Sequence, residues 1–149
     1  MASNRTQRGF TVIEIVLVVS LIAIMGAIAA PFLLSFQTRA DLDVATNMTA
    51  FAIRRTATLA QGTYADVPWS VYIKSGSVTI YPGTSYVGHD PTYDVIFKIS
   101  PKITVTGLQD IHLSRFTGYP TTTGTVTFTT VKNESKSISI NARGMVQIQ

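Results

Sequence analysis

The sequence predicts an α+β fold in which one long N-terminal α-helix packs against a C-terminal antiparallel β-sheet domain. Residues 10–34 form an almost uninterrupted apolar run, and residues 35–62 continue it with apolar residues at helical spacing. From residue 63 onward, β-branched and aromatic residues alternate with polar ones in short runs. The chain therefore divides into a polar leader (1–9), an apolar helix (10–34), its amphipathic continuation (35–62) and a β-rich globular domain (63–149).

The composition excludes several classes of protein. Charged residues make up 13% of the 149 residues, against about 25% in typical soluble domains. Cysteine is absent, so the sequence offers no disulfide framework, no zinc–thiolate site and no thiol nucleophile. The net charge is +4, of which Arg5 and Arg8 in the leader supply two. The remaining basicity permits contact with anionic partners without requiring it.

The apolar run from Phe10 to Leu34 has the length of a membrane span. A helix of 25 residues is about 38 Å long, whereas the hydrocarbon core of a bilayer is about 30 Å thick. Arg5 and Arg8 precede the run, and Asp41 and Asp43 are the first acids after it. By the positive-inside rule, these charges predict a single-pass inner-membrane protein with a cytoplasmic N-terminus and its C-terminus outside.

An alternative interpretation is an ordinary secreted β-rich protein whose signal peptide is cleaved near Ala27-Ile28-Ala29. The apolar stretch before that site exceeds the usual length of about 7–15 residues. Glu14 is also a poor occupant of such a stretch. The N-terminal sequence of the mature protein distinguishes the two interpretations.

Gly26 and Pro31 lie late in the apolar run. Proline removes one backbone donor and clashes with the preceding turn, so we expect a helix kink at this point. A simple helix end at the membrane surface is the alternative.

The junction Gly9-Phe10-Thr11-Val12-Ile13-Glu14, followed by the apolar helix, resembles the class III signal of type IV pilins and type II secretion pseudopilins. The resemblance implies that a prepilin peptidase cuts between Gly9 and Phe10 and methylates the new amine of Phe10. It implies a structural subunit whose partners are other pilin or pseudopilin subunits, the peptidase, an inner-membrane assembly platform and membrane lipid. The subunit would then leave the membrane for an extracellular or periplasmic filament.

Glu14 is the only ionisable side chain between Phe10 and Leu34. An unpaired charge at the centre of a bilayer costs on the order of 2.5–3.5 kcal/mol, and less near the interface. The Phe10 amine of a neighbouring subunit would offset this cost, so we expect Glu14 to set the register of assembly. The alternative is that Glu14 lies near the interface and reaches water.

The amphipathic half of the helix carries large apolar residues at helical spacing, and we expect this stripe to pack against the β-rich domain. It consists of Phe36, Ala40, Val44, Met48, Phe51 and Leu59, with Ala45 and Ala52 alongside. Gly62 is the expected helix stop.

Eight strands are expected beyond Gly62, separated by glycine, proline and asparagine turn signals. They are Val67–Ile73, Ser77–Tyr81, Tyr93–Ile99, Ile103–Thr106, Ile111–Phe116, Thr125–Val131, Ser137–Asn141 and Met145–Ile148. The last two form a hairpin that turns at Asn141-Ala142-Arg143-Gly144. This domain is also similar to the GspH/FimT group of minor pseudopilins and pilins, in Ile53–Ala57, Phe116–Pro120, Gly124–Phe128, Ile138–Ile140 and Gly144–Val146. That similarity implies a minor subunit.

No catalytic motif is present, so we expect neither an enzyme nor a bound cofactor or metal. His89 and His112 are expected as surface or loop residues, and Asp90 and Asp94 are too sparse for calcium. A second hypothesis is a minor subunit that binds DNA during uptake. Its candidate residues, expected to converge near one edge, are Arg115, Lys132, Lys136 and Arg143. The alternative is ordinary solubility charge on an edge strand.

Overall fold

The computed structural model describes residues 9–62 and 66–149, with the side chains of residues 29–34 outside the description. Its regular elements are α1 (Val12–Gln61), β1 (Trp69–Lys74), β2 (Ser77–Pro82), β3 (Val95–Lys98), β4 (Thr104–Gly107), β5 (Asp110–Leu113), β6 (Gly124–Thr129), β7 (Ser135–Ile140) and β8 (Val146–Ile148). A short 3-10 helix, Pro91–Tyr93, precedes β3. The predicted α+β class is confirmed. The chain forms two compact units, one ending at Gln37 and the other spanning Thr38–Gln149.

The first unit presents apolar side chains on every face of the helix. Its large exposed apolar residues are Val12, Ile13, Ile15, Val16, Leu17, Val18, Val19, Leu21, Ile22, Ile24, Met25 and Ile28. Ser20 adds little polarity, because its hydroxyl donates to the Val16 carbonyl at 2.7 Å. A helix that is apolar all round needs an apolar environment on every side.

The helical assignment continues through Gly26 and Pro31. The kink expected there stays a prediction, and the side chain of Pro31 lies outside the described residues. The span expected from Phe10 to Leu34 also ends on side chains outside the description. Among the residues that the structure does describe, no helical segment combines the length and the apolar character needed to cross a membrane.

In the second unit, α1 buries mostly small residues. Its buried face comprises Leu42, Ala45, Thr46, Thr49, Ala50, Ala52, Ile53, Thr56 and Ala60. Three of these are threonines whose hydroxyls donate to the carbonyl four residues earlier, at 2.7–3.0 Å. Because each buried hydroxyl is satisfied within the helix, this face needs no polar partner from the sheets.

The predicted packing stripe was wrong for Phe36, Val44 and Phe51, whereas Met48 and Leu59 are half-buried and pack against the core as expected. Phe36 is 68% exposed, Val44 52% and Phe51 50%. Ala45 and Ala52, which the sequence placed beside the stripe, are fully buried. Small side chains allow the helix to lie close to the strands, so they occupy the contact face and displace the bulkier residues to the surface.

The β-rich domain contains two four-stranded sheets. The first sheet has the order β3-β2-β1-β5 and the second β4-β6-β7-β8, and every pairing is antiparallel. Both sheets contribute to one hydrophobic core with α1, in which the largest fully buried side chain is Phe128. All eight predicted strands are present, and β7 and β8 form the expected hairpin.

Each strand differs from its predicted range by one to three residues at one end or both, and two of these differences have a clear local cause. Tyr93 belongs to the 3-10 helix, because Pro91 opens that turn and Asp90 caps it. Phe116, expected at the end of a strand, has φ 69° and lies in a loop. This loop docks on the end of α1: the amide of Phe116 donates to the Ala60 carbonyl at 3.1 Å. Gln61 also donates to the Thr117 carbonyl at 3.0 Å.

We predict that Ala52→Leu lowers the free energy of unfolding by about 1–3 kcal/mol or more, because the added carbons overpack the contact between α1 and the sheets. Val44→Leu is the matched control, since its side chain lies on the exposed face. Chemical denaturation in detergent, followed by tryptophan fluorescence of Trp69, measures both variants. Equal loss of stability in the two variants would show that the buried face has been misassigned.

Candidate functional site

The candidate site lies where α1 begins, and Thr11 fixes that beginning. The Thr11 carbonyl accepts the first helical hydrogen bond from the Ile15 amide at 3.2 Å. Its side-chain Oγ1 accepts a further bond from the Glu14 amide at 3.3 Å. Thr11 is thus the N-cap, and Glu14 is the third helical residue. Thr11 and Glu14 have the spacing of a capping box, a signal that the sequence analysis missed.

Gly9 and Phe10 precede the cap and are not helical. The Phe10 side chain is 80% exposed. A Cβ added at Gly9 would meet no atom within 4 Å. The peptide bond between them is therefore accessible on a non-helical segment, directly before an ordered helix.

Glu14 lies exposed in the first turn of α1. A carboxylate in this position interacts favourably with the amide end of the helix dipole, by about 0.3–1 kcal/mol. Within residues 9–62 and 66–149, the carboxylate has no hydrogen-bond or ion-pair partner. A shallow apolar hollow beside it is lined by Phe10, Ile15, Val18 and Val19. The acid is thus available to a cation from another molecule.

The four cations predicted to bind DNA do not form one patch. Lys136 pairs with Asp43 of α1, and Arg115 pairs with Asp66. The turn that carries Lys132 is also held to the helix, since its neighbour Glu134 pairs with Arg39 at 3.1 Å. Lys132 and Lys136 therefore lie by the start of the domain half of α1.

Arg115 and Arg143 lie near the opposite end of the domain. Arg115 precedes the loop that docks on Ala60, and its guanidinium carbon is 4.8 Å from the centroid of the Phe116 ring. Arg143 lies in the turn between β7 and β8, where Gly144 adjoins that same loop through Pro120. The expected convergence of all four cations is therefore wrong, because the domain half of α1 separates the two pairs.

His89 lies in the loop between β2 and β3, as expected, whereas His112 lies within β5, and both have acidic neighbours. His89 Nε2 is 2.9 Å from Asp94 Oδ1, and His112 Nδ1 is 3.7 Å from Asp110 Oδ1. Asp110 also accepts a bond from the Tyr81 hydroxyl at 2.7 Å. Burial, followed by this bond, raises the pKa of Tyr81 above its ordinary value, so the phenol stays protonated.

Ser70, His112 and Asp110 do not have the arrangement of a hydrolase triad. Ser70 Oγ and Asp110 Oδ1 both face the same ring nitrogen, Nδ1 of His112. A triad needs the serine and the acid on opposite nitrogens, so that one can donate while the other accepts. Ser70 is also fully buried, and its hydroxyl donates to the Gly83 carbonyl at 2.5 Å.

Asp90 and Asp94 each form hydrogen bonds within the chain, Asp90 with Thr92 and Asp94 with His89. Asp90 accepts bonds from the amide and hydroxyl of Thr92, at 2.9 and 2.5 Å. These bonds lower the pKa of Asp90, the side-chain bond contributing most. Across the part of the chain that the structure describes, no group of three or more histidine, cysteine or acidic residues has the arrangement of a metal site.

We predict that Thr11→Val destabilises the first turn of α1 by about 1 kcal/mol, because valine has a similar shape but accepts no hydrogen bond. Hydrogen exchange at the Glu14 amide in detergent micelles would become several-fold faster. Thr11→Ser keeps the accepting oxygen and is expected to exchange like the wild type. Unchanged exchange in the valine variant would contradict the role of Thr11 as the cap.

Residues 4–30 match the prokaryotic N-terminal methylation motif. The match covers part of the leader, the junction at Gly9 and Phe10, and the first half of α1 through Ala30. Neither a curated protein nor a solved structure matched the chain. The motif supports processing of the chain as a type IV pilin-like prepilin that is anchored in a membrane and then assembled with other subunits.

Proposed function

We propose that this protein is a structural subunit of a type IV pilus or a type II secretion pseudopilus, released from its leader between Gly9 and Phe10 and polymerised through α1. One observation carries the proposal. An exposed, non-helical Gly9–Phe10 bond lies directly before a capped helix that presents Glu14 in its first turn. This order of features provides a cleavage site, a new amine and an acid within six residues of sequence.

The chemistry of the junction suits peptidase cleavage. A peptidase needs its substrate extended, and the Thr11 cap keeps helical structure from reaching the bond. Gly9 has no side chain to obstruct an approaching active site, and its surroundings are open. Cleavage converts a neutral peptide into an α-amine, whose ordinary pKa of about 7.7–8.0 makes it mostly cationic at neutral pH. N-methylation of Phe10 leaves that charge in place.

The new amine provides the partner that Glu14 lacks. Apolar side chains surround the acid on its own helix, so assembly of several such helices would remove it from water. A charge buried without a partner is costly, whereas one paired with an amine is tolerated. Subunits would therefore assemble in the register that brings the Phe10 amine of one copy to Glu14 of another.

The apolar character of α1 would both retain the subunit in the membrane and pack it against other subunits in the filament. Before assembly, membrane lipid would cover the aliphatic faces of Val12–Ile28, with the leader on the cytoplasmic side and the β-rich domain outside. After assembly, other copies of the helix would cover the same faces. The proposal places the protein first as a single-pass inner-membrane subunit and then in an extracellular or periplasmic filament.

We assign the subunit to the GspH/FimT-like minor pilins on the segments that resemble this group. One of them, Phe116–Pro120, forms the loop that docks on the end of α1. Gly118 in this loop has φ +65°, and a Cβ there would lie 2.7 Å from the Ala57 carbonyl. DNA uptake receives less support, since two of its four candidate cations are neutralised by acids and the four lie in two places.

We predict that Gly9→Val prevents removal of the leader, because a β-branched side chain restricts the backbone at the scissile bond. The substitution is expected to leave the fold unchanged, since a Cβ added at position 9 would meet no atom within 4 Å. Mass spectrometry of protein from cells with the peptidase would show an intact N-terminus, whereas the wild type would begin at methylated Phe10. A wild-type chain that begins near Ala30 would instead establish the cleaved signal peptide.

We predict that Glu14→Gln is inserted and cleaved normally but enters filaments at least about tenfold less, because an amide cannot pair with the Phe10 amine as a charge does. Glu134→Gln is the matched control: Glu134 is the other glutamate of the chain, and its exposed pair with Arg39 contributes little. Immunoblots of sheared filaments and of membranes measure the two pools. Equal incorporation of both variants would contradict the pairing role.

A further inference from the structure

The connection between β2 and β3, Gly83–Asp94, forms a strap over one face of the first sheet. In β1, Val71 and Ile73 point into the core, so the alternate residues Ser70 and Tyr72 lie on the opposite face. The ring of Tyr86 in the strap stacks on Tyr72, with centroids 4.0 Å apart and planes at 13°. It also meets Tyr81 edge-on at 5.4 Å.

His89 ties the two ends of the strap together. Its Nδ1 is 2.6 Å from the Tyr86 carbonyl oxygen, and its Nε2 is 2.9 Å from both carboxylate oxygens of Asp94. The pair is largely enclosed, with the side chains of His89 and Asp94 11% and 7% exposed. The imidazole thus bridges the stacked part of the strap and its junction with β3.

The two partners of His89 dictate its protonation. A carbonyl oxygen and a carboxylate can only accept hydrogen bonds, so both ring nitrogens must donate. Only the imidazolium carries a proton on each nitrogen. A neutral imidazole would leave one nitrogen lone pair facing an oxygen, which loses a bond and adds repulsion.

His112, on the same face, needs no second proton. The Ser70 hydroxyl hydrogen is engaged with the Gly83 carbonyl, so His112 Nδ1 donates to Ser70 Oγ at 3.0 Å. Among the described residues, Nε2 of His112 has no hydrogen-bond partner. The neutral tautomer therefore satisfies this site, and His112 is an internal reference for His89.

We propose that His89 is a proton-operated latch, in which the imidazolium holds the strap on the Tyr72–Tyr81 face and loss of its proton releases the strap. This inference concerns the β-rich domain and does not depend on the proposed assembly. Release would uncover an aromatic surface that the strap covers at lower pH.

The surrounding charges set the direction of the response. The bond to Asp94 raises the pKa of His89 above 6.5, with smaller contributions from the Tyr86 carbonyl and the charges of Asp94 and Asp90, while burial opposes them. The ring of Tyr81 packs against the imidazole at 4.9 Å, and the Lys74 ammonium lies 6.0 Å from the Tyr86 ring.

A raised pKa in the folded state means that His89 stabilises the strap fully below about pH 6.5. The stabilisation is lost as the pH rises through the higher folded pKa.

The test is an NMR titration of the full chain in detergent micelles, from about pH 5 to about pH 9, a range that brackets the ordinary histidine pKa. The imidazole nitrogen shifts of His89 report its protonation, and the ring protons of Tyr86 report stacking on Tyr72. We expect His89 to titrate above pH 6.5 and the Tyr86 shifts to move with the same midpoint. Constant Tyr86 shifts through the His89 titration, or a His89 midpoint at or below that of a free histidine, would overturn the proposal.

Two variants and one control sharpen the test. Asp94→Asn removes the charged partner, so the midpoints of His89 and Tyr86 should fall together. His89→Gln leaves a single donating nitrogen, which cannot bond the Tyr86 carbonyl and the Asp94 carboxylate together. The stacked Tyr86 shifts should therefore be absent at every pH. His112→Gln should leave the Tyr86 midpoint unchanged. A Tyr86 midpoint that follows His112 instead would assign the response to the wrong histidine and end the proposal.

Discussion

The need of Glu14 for a cationic partner is the constraint on which the rest of this molecule depends. The acid projects from a helix whose neighbouring side chains are aliphatic, and no described residue pairs with it. The positive end of the helix dipole and exposure to water keep it tolerable in the single subunit. In the proposed assembly, other helices would exclude that water, and a cation at the same depth would then balance the charge. The proposed removal of the leader would create such a cation four residues away in sequence.

The two halves of α1 meet different demands with different residues. The first half exposes large aliphatic side chains on all sides and so depends on surroundings outside the subunit. The domain half offers the sheets a face of alanines and self-satisfied threonines, which permits close approach without unpaired polar groups. The β-rich domain thus completes its core with one face of the helix, and the remaining apolar residues stay on the surface.

Local patterns determined what the sequence could predict. Alternation of apolar and polar residues located every strand, and glycine turn signals separated them. The contact face of α1 was mispredicted at Phe36, Val44 and Phe51, because hydrophobicity favours large residues, whereas close packing on a sheet favours small ones. The partners of Lys136 and Arg115 lie 93 and 49 residues away in sequence, so only the folded chain shows them. The Thr11 cap could have been predicted from the sequence, since the spacing of Thr11 and Glu14 is a known helix-start signal.

The most direct test of the account is the distance between the Phe10 amine and the Glu14 carboxylate across subunits. Filaments assembled from an equal mixture of subunits, one labelled with ¹⁵N at Phe10 and the other with ¹³C at the Glu14 side chain, allow solid-state NMR to detect only contacts between copies. The account predicts magnetisation transfer between the two labels, as expected for an ion pair with nitrogen and oxygen within about 4 Å. Filaments that form normally and show no transfer would contradict it.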